Sequence, residues 1–254
     1  MQEGKKTYFI SDFHLGVPNY DTSLIRERLI VKWLDEIKKD AHEIFLMGDV
    51  FDFWFEYKTA VPKGYVRLLG KLAEISDSGI KIHYFTGNHD MWVFDYFKKE
   101  LNITIYRQPI FKTIQGKVFY LGHGDGLGPG DYGYKIIKKV FSNALCQWLF
   151  ARLHPNFGIG LANFFSRSSR KANGPKDEIF MGKENEWLYI YSKEMLMKNP
   201  EVNYFIFGHR HLPLDLSLSD NSRYINLGEW LNYNSYAVFD GEKLELKHYQ
   251  SQIK

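Results

Sequence analysis

Five short polar clusters hold the side chains that could do chemistry. They are Asp12-Phe13-His14, Gly48-Asp49-Val50-Phe51-Asp52, Gly87-Asn88-His89-Asp90, Gly122-His123 and Gly208-His209-Arg210-His211. From them Asp12, His14, Asp49, Asn88, His123, His209 and His211 offer carboxylate, amide and imidazole donors, and no thiolate. A mixed oxygen and nitrogen set suits Mn2+, Fe2+, Zn2+ or Co2+ in five- or six-coordinate sites rather than a structural zinc. Seven donors exceed the needs of one ion. One carboxylate, most naturally Asp49, is therefore expected to bridge two ions about 3.5–4 Å apart. Such a pair lowers the pKa of a bound water to about 7 and clamps a phosphoryl group for in-line attack. Asp12 and His14, like His209 and His211, are two residues apart, so on extended chain both side chains of a pair face the same way. The flanking glycines let backbone approach closely or turn sharply. A lone histidine at a strand end is ordinarily a hydrogen-bonded structural residue, and a lone aspartate before glycine a turn residue. Five such clusters in one chain favour a metal centre.

The clusters fall where strands end. Tyr8–Ile10, Glu43–Met47 and Lys81–Thr86 read as short buried strands. The helical spacing of apolar residues in Leu24–Lys38, with Asp21 or Thr22 as cap, and in Val66–Ser76 places helices between them. Strand-helix-strand alternation implies parallel pairing through right-handed crossovers, and ligands in such folds gather at the carboxyl ends of strands. A short helix is expected near Met91–Lys99, and Phe111–Ile114 with Val118–Leu121 forms a hairpin. Glu184–Lys198 is a further helix, and Tyr204–Phe207, Leu214–Leu218, Tyr224–Leu227, Ala237–Phe239 and Leu244–His248 are strands at hairpin spacing. The reading is one α/β domain over 1–254, with two sheets and a helical insertion at about 127–180.

Composition is that of an ordinary globular protein, 44% hydrophobic and 25% charged. The single cysteine, Cys146, cannot form an internal disulfide, which suggests a reducing compartment. Neither a signal-peptide pattern nor a long apolar run follows the N-terminal Gly4-Lys5-Lys6, so a cytoplasmic location is expected. The charge is uneven. Between Leu127 and Lys176 eight Lys and Arg stand against Asp131 alone, a net +7 in a chain of +3. A block of one sign usually marks an interaction surface.

In chain order, the series Asp-x-His, Gly-Asp-x-x-Asp, Gly-Asn-His-Asp, Gly-His and Gly-His-x-His resembles the calcineurin-like metallophosphoesterase family over most of the chain. The resemblance implies a sandwich of two β-sheets flanked by helices and a dinuclear centre. One ion would be held by Asp12, His14, Asp49 and His211, the other by Asp49, Asn88, His123 and His209. His89, oriented by Asp52, would stabilise the leaving group or donate its proton.

Residues Tyr134–Leu153 place Ile136, Ile137, Val140, Phe141, Ala144, Leu145, Trp148 and Leu149 at helical spacing beside Lys135, Lys138 and Lys139. This is the pattern of an amphipathic helix, suited to a membrane surface or a lipid, or else packed on the body of the protein. Nucleic acid fits less well, since exposed Phe and Ile are less useful there than Tyr and Arg and a duplex-sized basic face is not evident. Further residues extend the resemblance to the family of UDP-2,3-diacylglucosamine diphosphatases of lipid A synthesis. They are His123-Gly124-Asp125, Asp131, Tyr134, Ser169-Arg170-Lys171-Ala172-Asn173 and Lys176. That implies cleavage of a UDP-linked acylated glucosamine with two divalent ions, Mn2+ by the resemblance, under a helical lid covering the acyl chains. Asn88, Asp131, Ser169, Asn173, Lys176 and His209 would contact substrate. It also implies peripheral contact with the cytoplasmic face of the inner membrane, with no nucleic acid or protein partner expected. Better-known members carry Arg at the position of His89 and Glu at that of Asp52, so here both return to the general phosphoesterase pattern. Two rival readings are a related phosphoesterase acting on another phosphodiester or nucleotide, and a metal-free binding module. The module predicts eroded ligands, whereas every ligand position is filled.

Overall fold

Side-chain alternation along the first strand, β1 (Lys6–Ile10), divides the protein into layers. In the computed structural model, which describes residues 4–128, 132–162, 164, 166 and 179–250, Tyr8 and Ile10 join one core while Phe9 joins another. The strand is hydrophobic on both faces because both faces are covered. It sits in a six-stranded sheet of order β11-β10-β1-β2-β3-β4. Here β2 is Ala41–Leu46, β3 Lys81–Phe85, β4 Thr104–Tyr106, β10 Ser235–Phe239 and β11 Leu244–His248. Helices α1 (Tyr20–Ile37), α2 (Val66–Asp77) and α3 (Tyr96–Leu101) contribute Ile30, Trp33, Leu34, Leu68, Leu72 and Phe97 to the core on the outer face.

A second sheet has the order β5-β6-β7-β9-β8, from β5 (Ile110–Ile114), β6 (Lys117–Leu121), β7 (Tyr204–Phe207), β8 (Pro213–Ser219) and β9 (Ser222–Leu227). Between the sheets Phe9, Phe45, Met47 and Phe85 meet Phe119, Leu121, Ile206 and Ile225. The outer face of the second sheet is covered by α6 (Trp187–Lys198), through Leu188 and Tyr189 against Phe205, Phe207 and Tyr224. Helix, sheet, sheet, helix is thus the layering, as the family resemblance implied.

Strands β1 to β4 pair in parallel, and so do β6, β7 and β9. The carboxyl ends of β1, β2, β3, β6 and β7 therefore lie at one edge. The β5–β6 hairpin closes through Gln115-Gly116, both at positive φ, a conformation matched to strand twist.

Four local expectations change. The cap of α1 is Asn19, whose side chain accepts from the Thr22 amide, rather than Asp21 or Thr22. Hairpin spacing holds for β8–β9 and β10–β11, but β7 pairs in parallel with β9, and β10 crosses to the other sheet to lie antiparallel to β1. The short strand β4 lies beyond the expected helix. The long helix expected over Tyr134–Leu153 is two, α4 (Tyr132–Phe141) and α5 (Ala144–Phe150). Asn143 makes the break, because its side chain accepts from the Leu145 and Cys146 amides and starts a new helix instead of continuing the old one. Residues 155–162 are helical again. No helix among the described residues is long and apolar enough to cross a membrane.

Candidate metal centre

Five candidate donors share one backbone peculiarity. Asp12 (φ 56°), His14 (44°), Asp49 (52°), His209 (66°) and His211 (55°) are all left-handed. Side chains other than glycine rarely take this conformation, and it concentrates where function demands it. The expected extended alternation of Asp12 with His14 and of His209 with His211 is therefore absent. Tight turns after the strands aim these side chains instead. Close approach has its own requirement at Gly48 and Gly87, where a Cβ would run into the His123 ring and the Asp49 carboxylate respectively.

The turns bring Asp12, His14, Asp49 and His211 into one group. His14 Nε2 lies 3.0 Å from His211 Nε2 and 3.5 Å from Asp12 Oδ1, and His211 Nε2 is 3.2 Å from that same oxygen. A second group contains Asp49, His123 and His209. Asn88 joins it, its Oδ1 standing 3.2 Å from His123 Nε2 and 2.9 Å from His209 Nδ1. Asp49 belongs to both groups. Its Oδ2 faces His14 Nε2 at 3.8 Å and His123 Nε2 at 3.4 Å, while its Oδ1 accepts from the His89 amide at 2.8 Å.

The outer partners fix these donors. His123 Nδ1 meets the Met47 carbonyl at 2.8 Å, which leaves Nε2 as the inward nitrogen. Asp12 Oδ2 is held by the Ser11 hydroxyl and the His209 amide. Asp12 Oδ1, buried, has no hydrogen-bond partner among the described residues. Asp90 lies beneath the site, where it accepts from the Val50 and Gly87 amides and the Tyr84 hydroxyl and so ties two of the turns together. Burial, then the Asp49 charge, pushes its carboxyl up to about 6.

Electrostatics describe a site short of positive charge. Burial opposes protonation of His14, but Asp12 and Asp52 prevail and raise it to about 10. Burial likewise opposes His123, and Asp49 raises it to about 10. Asp12 and Asp49 stay well below the usual carboxylate range despite burial, through the facing imidazoles. Burial and the His123 charge push His209 down to about 4. Carboxylates that draw protons onto buried histidines are a ligand set in its protonated form, and divalent cations would take the place of those protons. The orphaned Asp12 oxygen and the two converging Nε2 atoms fit that exchange, as does the donor chemistry.

Beside the first group lies a third, His14, Asp52 and His89. The Asp52 carboxylate is 3.6 Å from His14 Nδ1 and 3.7 Å from His89 Nδ1, and the latter sits 3.1 Å from the Asp52 carbonyl. Asp52 thus backs two imidazoles rather than His89 alone. Ser166, from the inserted segment, reaches in between, donating to Asp52 Oδ2 at 3.0 Å and lying 3.2 Å from His89 Nδ1. Sequence reading passed over Ser166, since a serine in a Ser/Arg/Lys-rich stretch carries no signal without its neighbours in space. The anticipated substrate contacts Asp131, Ser169, Asn173 and Lys176 lie outside the described residues.

The inserted helices rest on the turns after β2 and β3. Phe150, Ile159 and Ala162 pack on Phe53, Phe55 and Trp92, and Trp92 Nε1 donates to the Phe141 carbonyl at 2.8 Å. Lys138 is drawn inward to Asp125 at 2.6 Å, and Lys135 to the Gly128 carbonyl, so two of the three lysines read as a surface face are engaged within the protein. On the other side Ile136, Leu145, Trp148, Leu149, Phe157 and Phe164 are exposed.

Residues 5–213 match the family described as Calcineurin-like phosphoesterase. The chain is 41% identical to a UDP-2,3-diacylglucosamine hydrolase of Porphyromonas gingivalis, over 95% of this chain and 97% of that protein. It is 24% identical to one of Shewanella baltica over 95% and 96% of the two chains. Among solved structures a dimetal phosphatase of Danio rerio aligns over 97% of this chain and 96% of that one, with a TM-score of 0.50 at 14% identity, a likeness of fold.

Proposed function

The chain belongs to the calcineurin-like phosphoesterase family, and from that footing we propose that it hydrolyses the pyrophosphate of UDP-2,3-diacylglucosamine to UMP and 2,3-diacylglucosamine 1-phosphate. The near full-length identity to a hydrolase named for that substrate supports the substrate. The observation that carries the chemistry is the sharing of Asp49 between two donor groups. Asp12, His14, Asp49 and His211 would hold one divalent ion and Asp49, Asn88, His123 and His209 the other, with Mn2+ suited to a set of oxygen and imidazole donors. Bound there, two cations supply a water ionised near neutral pH and a clamp on phosphoryl oxygens.

The protein's own groups do the rest. The Asp52 carboxylate stands 3.6 Å from the outer nitrogen of His14 and, with Ser166, flanks the Nδ1 side of His89, leaving His89 Nε2 to face the leaving oxygen and give it a proton or a hydrogen bond. Asn88 and His209 contact the phosphoryl group from the second donor group. The helices between about 127 and 180 form a lid on a single domain. Its exposed Leu145, Trp148, Leu149 and Phe157 take acyl chains and rest on the cytoplasmic face of the inner membrane. Asp131, Ser169, Asn173 and Lys176 bind sugar, phosphate or nucleotide, Lys176 as a positive point charge.

The test is release of UMP from UDP-2,3-diacylglucosamine by purified protein with Mn2+, beside bis-p-nitrophenyl phosphate. Rapid, chelator-sensitive UMP release is expected. Turnover of the small diester alone would transfer the site to another phosphodiester or nucleotide substrate.

A further inference from the structure

Arg210 stands between the two histidines of the Gly208-His209-Arg210-His211 turn, yet its side chain leaves the metal centre. Its Nε donates to Glu186 Oε2 at 3.0 Å and its Nη2 to the Ile179 carbonyl at 2.7 Å. The guanidinium also lies over the Trp187 ring, 5.3 Å from its centroid, and that ring meets His209 edge-on at 6.3 Å. Both charges are buried, Arg210 at 4% and Glu186 at 2% exposure. Glu186 occupies the N-cap position of α6 but makes no capping bond there. Its other oxygen accepts instead from the Tyr224 hydroxyl at 3.1 Å, on β9. The ion pair therefore joins three places: the carboxylate ties the histidine turn to the second sheet, and the guanidinium ties it to the return from the inserted segment at Ile179.

We propose that Arg210 is a positioning residue whose ion pair with Glu186 locks the His209–His211 turn to the returning end of the lid. The inference rests on the phosphoesterase reading only for what the two histidines hold. Left-handed residues on both sides of Arg210 persist only where their surroundings over-determine them. The planar guanidinium supplies that constraint, since its donors are directed in a fixed fork, which a lysine ammonium cannot reproduce. His209 serves one donor group and His211 the other, so a turn free to relax would misplace a ligand in each. The bond to Ile179 means that the lid and both donor groups are set against the same side chain.

The experiment compares wild type with Arg210→Lys, Glu186→Gln and the double variant Arg210→Met/Glu186→Met, which leaves no unpaired buried charge and so guards against simple misfolding. Amide exchange of the metal-free proteins is followed over 179–186 and 207–212, and Mn2+ is titrated calorimetrically. Exchange in both segments should quicken about 10-fold or more, with the rest of the chain unchanged. Mn2+ affinity should fall roughly 10- to 100-fold, as for other losses behind a ligand. Uniformly faster exchange, exchange unchanged at 207–212, or unaltered Mn2+ affinity would each overturn the proposal. A wild type that takes up no Mn2+ while its variants loosen both segments would keep the lock and sink the metal reading instead.

Discussion

Asp49 turns one carboxylate oxygen, Oδ2, to within 3.4 Å of His123 Nε2, and that same atom is 3.8 Å from His14 Nε2. A single oxygen between imidazoles of different donor groups is the geometry of a bridge. Asp49→Ala should therefore lose more than one ion's worth of binding, and activity should drop by well over the roughly 100-fold that an outer-shell loss costs. His14→Ala should weaken one ion and recover in part with excess Mn2+. Metal content by mass spectrometry after desalting checks both. Two ions retained in Asp49→Ala would remove the bridge.

Asp52 faces His14 and His89 together, with Ser166 closing the group from the inserted segment. Two separable effects follow. Asp52→Asn should lower Mn2+ affinity about 10- to 100-fold, because the carboxylate behind a ligating imidazole raises its basicity. Ser166→Ala removes a hydrogen bond to the Asp52 carboxylate, worth about 1.5–3 kcal/mol because its acceptor is charged, so kcat should fall roughly 10- to 100-fold at saturating Mn2+ with affinity for the ion unchanged. Steady-state kinetics at several Mn2+ concentrations distinguish them, and a Ser166→Ala variant repaired by added metal would contradict this division.

The alternation of buried strands and helices was legible because parallel strands covered on both faces must be apolar throughout, as Tyr8-Phe9-Ile10 and Ile44-Phe45-Leu46 are. The polar residues that end those runs were equally plain. What local pattern could not convey is the conformation between them, since nothing in Asp12-Phe13-His14 distinguishes an extended chain from two left-handed turns. The assignment of β10 to the sheet of β1 depends on a crossover through Gly228–Asn234, not on spacing. The break at Asn143 was hidden by an apolar rhythm that continues across it, from Phe141 to Leu145. Ser166, Glu186 and Arg210 acquire meaning only from partners distant in sequence.

Glu43 on β2 pairs with Lys112 on β5 at 2.9 Å, linking the two sheets. Burial works against its charge, but His83 and Lys112 prevail and lower it from 4.5 to about 2. A depressed acid contributes stability above its unfolded pKa and loses it as pH falls through the folded one. The contribution should thus be complete above about pH 4.5 and vanish toward pH 2, with a ceiling of about 3 kcal/mol. Thermal unfolding of chelated wild type and Lys112→Met from pH 7 to 2.5 is the measurement. The melting temperatures should differ at pH 6 and converge on acidification, and a gap that persists at pH 2.5 would assign the loss to the Lys112 ammonium, which lies over the Phe45 ring, 5.1 Å from its centroid.

The inserted helices have two apolar faces with different tasks. Phe150 packs into the cluster of Phe53, Phe55 and Trp92, and Phe141 lies against Trp92 with ring centroids 5.3 Å apart. Leu145, Trp148 and Leu149, spaced at i, i+3 and i+4 on α5, are instead 64%, 52% and 53% exposed. Replacing Phe141 would disturb the seating of the helices along with any lipid contact, so the exposed pair Leu145 and Leu149 is the cleaner probe. Each leucine fully covered by an acyl chain would contribute about 1.5–3 kcal/mol. Leu145→Ser/Leu149→Ser should accordingly lower kcat/KM for long-chain substrate at least about 10-fold, and leave a short-chain analogue and the melting temperature nearly unchanged. Phe150→Ser should do the reverse, lowering stability by about 1–3 kcal/mol through loss of the contacts its half-buried ring makes with Phe53, Phe55 and Trp92. Both substrates are assayed in mixed micelles at fixed surface concentration, beside thermal melts. Equal losses on long and short chains in the leucine variant would mean that this face covers protein rather than lipid, and the acylated substrate would give way to a smaller phosphodiester.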